Sequence, residues 1–180
     1  MSSLTYAQAA AQGIWNSQVD EIGYIPSVTV APVIDHLVEL DGGNNGRSSH
    51  VNPLSREEEA VGVIGALPLA GKFGAVVMQD NGFGNNITAL TTFSISYHLP
   101  MLIFANTRGS LGEYNSMIHS VSQPAPDLLR RLGLPVIELD RRSSAQDWED
   151  TVSEAGNHAK MTYRPVIVLG SFWNTDGKVA

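Results

Sequence analysis

The stretch Gly74 to Asn86, "GAVVMQDNGFGNN", passes from a continuous apolar run into a polar turn with two glycines. An unbroken Ala-Val-Val-Met run is the pattern of a strand buried on both faces, because a sheet with one wet face alternates apolar and polar residues. Such a strand needs helices above and below it, so the stretch points to a parallel sheet inside an α/β domain. Comparable runs lie at Ser27 to Ala31, Met101 to Asn106, Val136 to Leu139 and Val166 to Gly170. Between them, 3.6-residue spacing predicts helices over Tyr6 to Val19, Val33 to Leu40, Arg56 to Ala70, Asn86 to Tyr97 and Asp127 to Leu132. The Asp127 helix is stopped by Gly133 and Pro135, and a last helix opens at Ser144 with Asp147 in capping position. The reading is a three-layer, doubly wound parallel sheet with helices on both faces.

A chain of 180 residues, 43% of them hydrophobic, supports a single domain spanning 1–180. With 11 Lys and Arg against 18 Asp and Glu, the net charge of -7 argues against nucleic-acid or anionic-membrane partners, which need clustered positive charge. The absence of cysteine removes disulfides and thiolate metal sites and fits a reducing cytoplasm. No apolar run approaches the ~20 residues of a membrane span, so the chain reads as cytoplasmic.

Three polar clusters sit where strands meet helices, the edge at which open α/β sheets hold ligands. The first is Arg56-Glu57-Glu58-Glu59, opening a helix that contains Gly62 and Gly65. Acidic residues suit the first turn of a helix. Two glycines inside a helix cost stability, so something approaches closely there. The second is the turn itself. Ile87 stands where a dinucleotide fingerprint needs its third glycine, and no Gly-Lys-Ser/Thr follows for a phosphate loop. Asn81, Asn85 and Asn86 offer amide donors and acceptors suited to a polar heterocycle, although a plain structural turn also fits. The third is Asn106-Thr107-Arg108-Gly109-Ser110-Leu111-Gly112-Glu113, leading to His119. Arg108 suits an anion, and His119 suits proton transfer or an ordinary helix position. The other histidines, His36, His50, His98 and His158, read as structural.

In this order, "REEEAVGVIGALPLAGKFGAVVMQDNGFGNNITAL" and "YHLPMLIFANTRGSLGE" resemble the alpha subunit of two-chain sulfopyruvate decarboxylases. They are also similar to the N-terminal region of phosphonopyruvate decarboxylase, so the chain resembles the pyrimidine-binding domain of thiamine-diphosphate-dependent 2-oxo acid decarboxylases. The resemblance implies a six-stranded parallel sheet. It places on Glu57 the carboxylate that bonds the cofactor's aminopyrimidine and promotes ylide formation, with Glu58 and Glu59 as solvent-facing charges. It makes Gln79, Asn81, Gly82, Phe83, Gly84 and Asn85 the wall of the cofactor pocket, Arg108 and Asn81 substrate-binding, and His119 a catalytic candidate. Asp80, Asn81 and Phe83 depart from the family's Asn, Ser and Leu, and the pattern after Arg108-Gly109 is not reproduced.

The resemblance also implies what is missing. No Gly-Asp-Gly with a distant Asn pair is present, and Asp41 to Ser49, "DGGNNGRSS", reads as an exposed connection. The divalent ion, Mg2+, and the diphosphate therefore fall to a beta subunit, in an α2β2 assembly or a multiple of it. Phe83, Ile87 and Phe93 are the expected apolar contact with that partner. A carboligase or aldehyde lyase using the same cofactor, a non-catalytic partner subunit of the same fold, and a flavodoxin-like nucleotide binder are the alternatives.

Overall fold

The computed structural model describes residues 4–43, 50–109 and 111–176. Six strands form one sheet: β1 (Glu21–Tyr24), β2 (His50–Pro53), β3 (Gly74–Gln79), β4 (Met101–Asn106), β5 (Val136–Leu139) and β6 (Pro165–Gly170). Their order is β2-β1-β3-β4-β6-β5, and every pair is parallel. From β1 the chain first runs outward to β2 and then returns to the other side at β3. That reversal opens a crevice at the carboxyl ends of β1 and β3, the place where doubly wound sheets bind ligands. The connections carry α1 (Tyr6–Asn16), α2 (Ala31–Gly42), α3 (Glu57–Ala66), α4 (Phe83–Ala89), α5 (Ser116–Ser122), α6 (Ala125–Arg131) and α7 (Ala145–Thr162).

The strand period of two sorts the core. Ala75, Val77, Leu102, Phe104, Val166 and Val168 meet α1, α2 and α7 on one face. Val76, Met78, Ile103, Ala105, Ile167 and Leu169 meet α3, α4 and α6 on the other. Trp148 anchors the first layer, with Tyr6 and Phe172 rings 5.3 Å away and its indole N–H donating to the Asp140 carbonyl at 3.1 Å. Truncating an aromatic so placed costs about 3–5 kcal/mol. Among the described residues, no helix is long and apolar enough to cross a membrane.

Several sequence expectations change. Ser27 to Ala31 is not a strand: the amides of Val30 and Ala31 both donate to the Ser27 carbonyl, turning the chain into α2. The strands that sequence reading missed are β1, short and interrupted by Gly23, and β2, an exposed edge strand ending in Pro53. The glycine turn is mostly helical. Asp80–Gly82 makes one 3-10 turn and α4 starts directly at Phe83, continuing into a π-helical segment Leu90–Ile95. A short helix, α5, occupies the stretch that carries His119. Of the polar segment 41–49, Asp41 and Gly42 close α2, and residues 44–49 lie outside the described residues.

Candidate functional site

The three acidic residues that open α3 have three different partners. The Glu59 carboxylate accepts from the Ser55 amide at 2.8 Å, a cap on the helix start, and Glu58 pairs with Arg56 at 2.6 Å. Glu57 turns inward to the Asp80–Gly82 turn, where Asn85 Nδ2 donates to its Oε2 at 2.8 Å. A Cβ on Gly82 would lie 2.5 Å from Glu57 Cγ and 2.7 Å from its Oε1. The missing side chain at Gly82 is thus the space that Glu57 fills, and it joins two clusters that are 25 residues apart in the chain (82 minus 57). Glu57 is half-buried, and its Oε1 has no hydrogen-bond partner among the described residues. Of the two α3 glycines, Gly65 does face a close neighbour, Met101 Cε at 2.8 Å from its notional Cβ, whereas Gly62 faces open space.

This packing makes Gly82→Ala a selective probe. Gly82 has helical φ -62°, so alanine suits the backbone, and the clash falls on the flexible end of Glu57. The expected result is a melting temperature equal to or slightly above the parent's, with the Glu57 carboxylate pushed out of the space it fills and its bond to Asn85 broken. Thermal denaturation and a crystal structure of the variant check it.

The other residues of the turn divide by helix face. Asn81, Gly84 and Asn85 are exposed at the crevice. Phe83 is 1% exposed and packs in the core with Leu90 and Met78, so it neither lines an open pocket nor forms a partner surface. It lies on the same inward stripe of α4 as Asn86 and Leu90, while Ile87 and Phe93 stay partly exposed. Gln79 accepts from Ser27 Oγ at 3.1 Å, and its Nε2 is buried with no partner.

Arg108 has a partner that sequence reading did not assign. Its Nη2 donates to Glu113 Oε1 at 2.8 Å and its Nε donates to Oε2, a two-pronged ion pair whose side chains are 14% and 4% exposed. Glu113 in turn accepts from the Asn115 amide at 2.8 Å, next to the start of α5. Asp80, 1% exposed, links the same loop to the turn: it accepts from the Arg108 amide at 2.8 Å and from Ser122 Oγ, at the end of α5, at 2.6 Å. Two carboxylates therefore hold α5 at its two ends, and α5 carries the half-buried His119. Asp80, Glu113 and Ser122 were not singled out for these contacts. The available signals were the acid at position 80, where the resembling family has Asn, and a Glu five residues after Arg108.

The charges carry opposite pH dependences. Arg108 beside Glu113 holds its carboxyl at about 2, well below the usual 4.5. Burial pushes the Asp80 carboxyl above its usual value, against the pull of its hydrogen bonds. A lowered carboxyl contributes stability that is complete above 4.5 and lost as pH falls toward about 2. A raised one favours folding increasingly as pH falls. The melting temperature is expected to drop between pH 4.5 and about 2, and Glu113→Gln to flatten that step; calorimetry across the range checks it.

Beside this network is a cavity of about 400 Å3, reached from the carboxyl ends of β1, β4 and β6 and lined by Val28, Thr29, Arg108, Tyr114, Phe172 and Trp173 among others. Among the described residues, no group of three or more His, Asp or Glu is arranged to hold a metal ion.

An all-parallel doubly wound sheet with a carboxylate and polar turns at its switch point is the arrangement at which open α/β sheets hold ligands. The sulfopyruvate decarboxylase subunit alpha of Methanothermobacter thermautotrophicus is 30% identical over 169 residues, 93% of this chain and 97% of that one. That of Methanococcus maripaludis is 28% identical over 171 residues, 94% and 98% of the two chains. That of Methanocaldococcus jannaschii is 41% identical over 99 residues, 54% of each. The chain belongs to the family of sulfopyruvate decarboxylase alpha subunits. A 2-oxoglutarate:ferredoxin oxidoreductase from Magnetococcus marinus shares the fold, with a TM-score of 0.70 at 14% identity over 93% of this chain and 29% of its own. No protein-family model matches.

Proposed function

We propose that the chain is the pyrimidine-binding alpha subunit of a thiamine-diphosphate-dependent 2-oxo acid decarboxylase, completed by a beta subunit that holds the diphosphate and Mg2+. The observation that carries this reading is the Glu57 carboxylate, seated in the space left by Gly82, held by Asn85 and with one oxygen uncommitted among the described residues. That arrangement fits an aminopyrimidine, which needs one carboxylate oxygen at a ring nitrogen, and the unpartnered Gln79 Nε2 adds a buried donor on the same edge. Thiamine diphosphate, when bound, supplies the carbon nucleophile that adds to the ketone and the electron sink for loss of carbon dioxide.

Each residue of the chain then has a task. Glu57 takes and returns a proton at Oε1, and Asn85 fixes its orientation. Asn81, exposed on the turn, is placed to bond the substrate. His119 is the candidate for proton transfer on the product side, and Asp80 and Glu113 position the helix that bears it. Arg108 positions the loop through Glu113 and has little charge left for an anion.

The test is reconstitution with a Gly-Asp-Gly-bearing partner chain, thiamine diphosphate and Mg2+, followed by assay of 2-oxo acids. Cofactor-dependent carbon dioxide release in the stoichiometry of an α2β2 complex is expected. Carbon–carbon bond formation without carbon dioxide would move the chain to the carboligases. Turnover without added cofactor, in a preparation stripped of it, would remove the reading.

A further inference from the structure

The cavity at the ends of β1, β4 and β6 has a composition of its own. Three aromatic side chains, Tyr114, Phe172 and Trp173, join Val28 and Leu111 around it. Gly112, at φ +91°, lies flat on the indole, since a Cβ there would be 2.2 Å from the Trp173 ring, and this close approach fixes one wall. Among the described residues that line the cavity, Arg108 is the one cation, and Glu113 neutralises it. The polar lining that remains is uncharged: Thr29, Asn106, Thr107 and Ser171. The volume of about 400 Å3 falls within the ~300–1,000 Å3 of small-molecule sites. The cavity is also tied to the turn, through Ser27 to Gln79 and through the Arg108 amide to Asp80.

A sulfonate or phosphonate seated against the inner wall would lose part of its hydration and find a cation already committed, which is costly. An aromatic ring would lose only water and gain ring contacts. We propose that this cavity receives the substrate's side chain and selects a 2-oxo acid with an uncharged aromatic tail over one with a second anion. The proposal rests on the decarboxylase reading for the 2-oxo acid, but not for the preference.

Saturation-transfer NMR on the full chain, without cofactor or partner, tests it with phenylpyruvate and sulfopyruvate as probes. Ring protons of phenylpyruvate are expected to saturate, with sulfopyruvate bound at least about tenfold more weakly, a gap of ~1.4 kcal/mol or more. Trp173→Ala should weaken phenylpyruvate about tenfold. Glu113→Gln, which keeps an acceptor for Asn115 while freeing Arg108, should strengthen sulfopyruvate about tenfold. Should Trp173→Ala fail to fold, Val28→Lys on the exposed rim serves instead, shifting the preference toward the sulfonate. Equal or tighter binding of sulfopyruvate by the parent chain, or no saturation of either acid, overturns the proposal. The two readings fail separately. Turnover restricted to sulfopyruvate removes the aromatic preference and leaves the decarboxylase. Aromatic binding with no thiamine-diphosphate-dependent turnover does the reverse.

Discussion

Glu57→Gln, assembled with its partner, is expected to lower kcat by about 10²- to 10⁴-fold, the usual contribution of a positioned acid–base group. The substitution keeps the size of the side chain and an oxygen that can accept from Asn85 Nδ2, now 2.8 Å from Oε2. It also still fits the space beside Gly82, so the melting temperature is expected to stay within about 1–2 °C, as for substitutions that leave packing alone. On the proposed function, what is lost is a carboxylate able to take a proton from a heterocycle. The neighbouring acids supply the contrast. Glu58→Gln removes a pairing with the exposed Arg56, and Glu59→Gln keeps an acceptor for the Ser55 amide, so neither is expected to change kcat more than about twofold, in line with the small worth of exposed pairs. If all three acids served only the helix dipole, the three variants would behave alike. Carbon dioxide release at saturating substrate, measured on folded protein, separates the cases, and full turnover by Glu57→Gln would end the catalytic assignment.

How far the sequence could be read depended on where each element lies. β4 and β6 are buried along their whole length and β3 up to Met78, and their apolar runs announce them. β1 has only four residues, including Glu21 and Gly23, and β2 is an exposed edge with Asn52 and Pro53, so neither carries a hydrophobic signature. Ser27 to Ala31 has β-branched residues, but Pro26 precedes them and local hydrogen bonds turn them into a helix start. Glu57 and the glycine turn stand out in the sequence as candidates because a resembling family carries both at this spacing. Their direct contact does not, since it depends on how α3 and α4 pack. Phe83, expected from the resemblance on the pocket wall and from its apolar side chain at a partner contact, is instead buried, because α4 begins at that residue and points it into the core. Arg108 showed its charge in the sequence and not its partner, because a pair within a loop follows no helical or strand period.

That partner decides what Arg108 does. Arg108→Ala is expected to destabilise the chain by about 3 kcal/mol, the lower range for removing one member of a buried pair. The cost is set by what remains: Glu113, its side chain 4% exposed, would keep the backbone amides of Asn115 and Gly109 but no cation against its charge among the described residues. Arg108→Ala with Glu113→Ala should recover much of that loss, because the double variant removes both members of the pair and leaves neither without the other. A cation that served only to hold a substrate anion predicts the opposite pattern, with KM raised, stability unchanged and no rescue by the second substitution. Here the loss of Arg108 loosens the loop that Asp80 ties to the glycine turn and the start of α5, so kcat should fall together with stability and partly return in the double variant. Urea denaturation midpoints of the three variants, read beside kcat and KM of the assembled enzyme, tell a positioning ion pair from a substrate clamp.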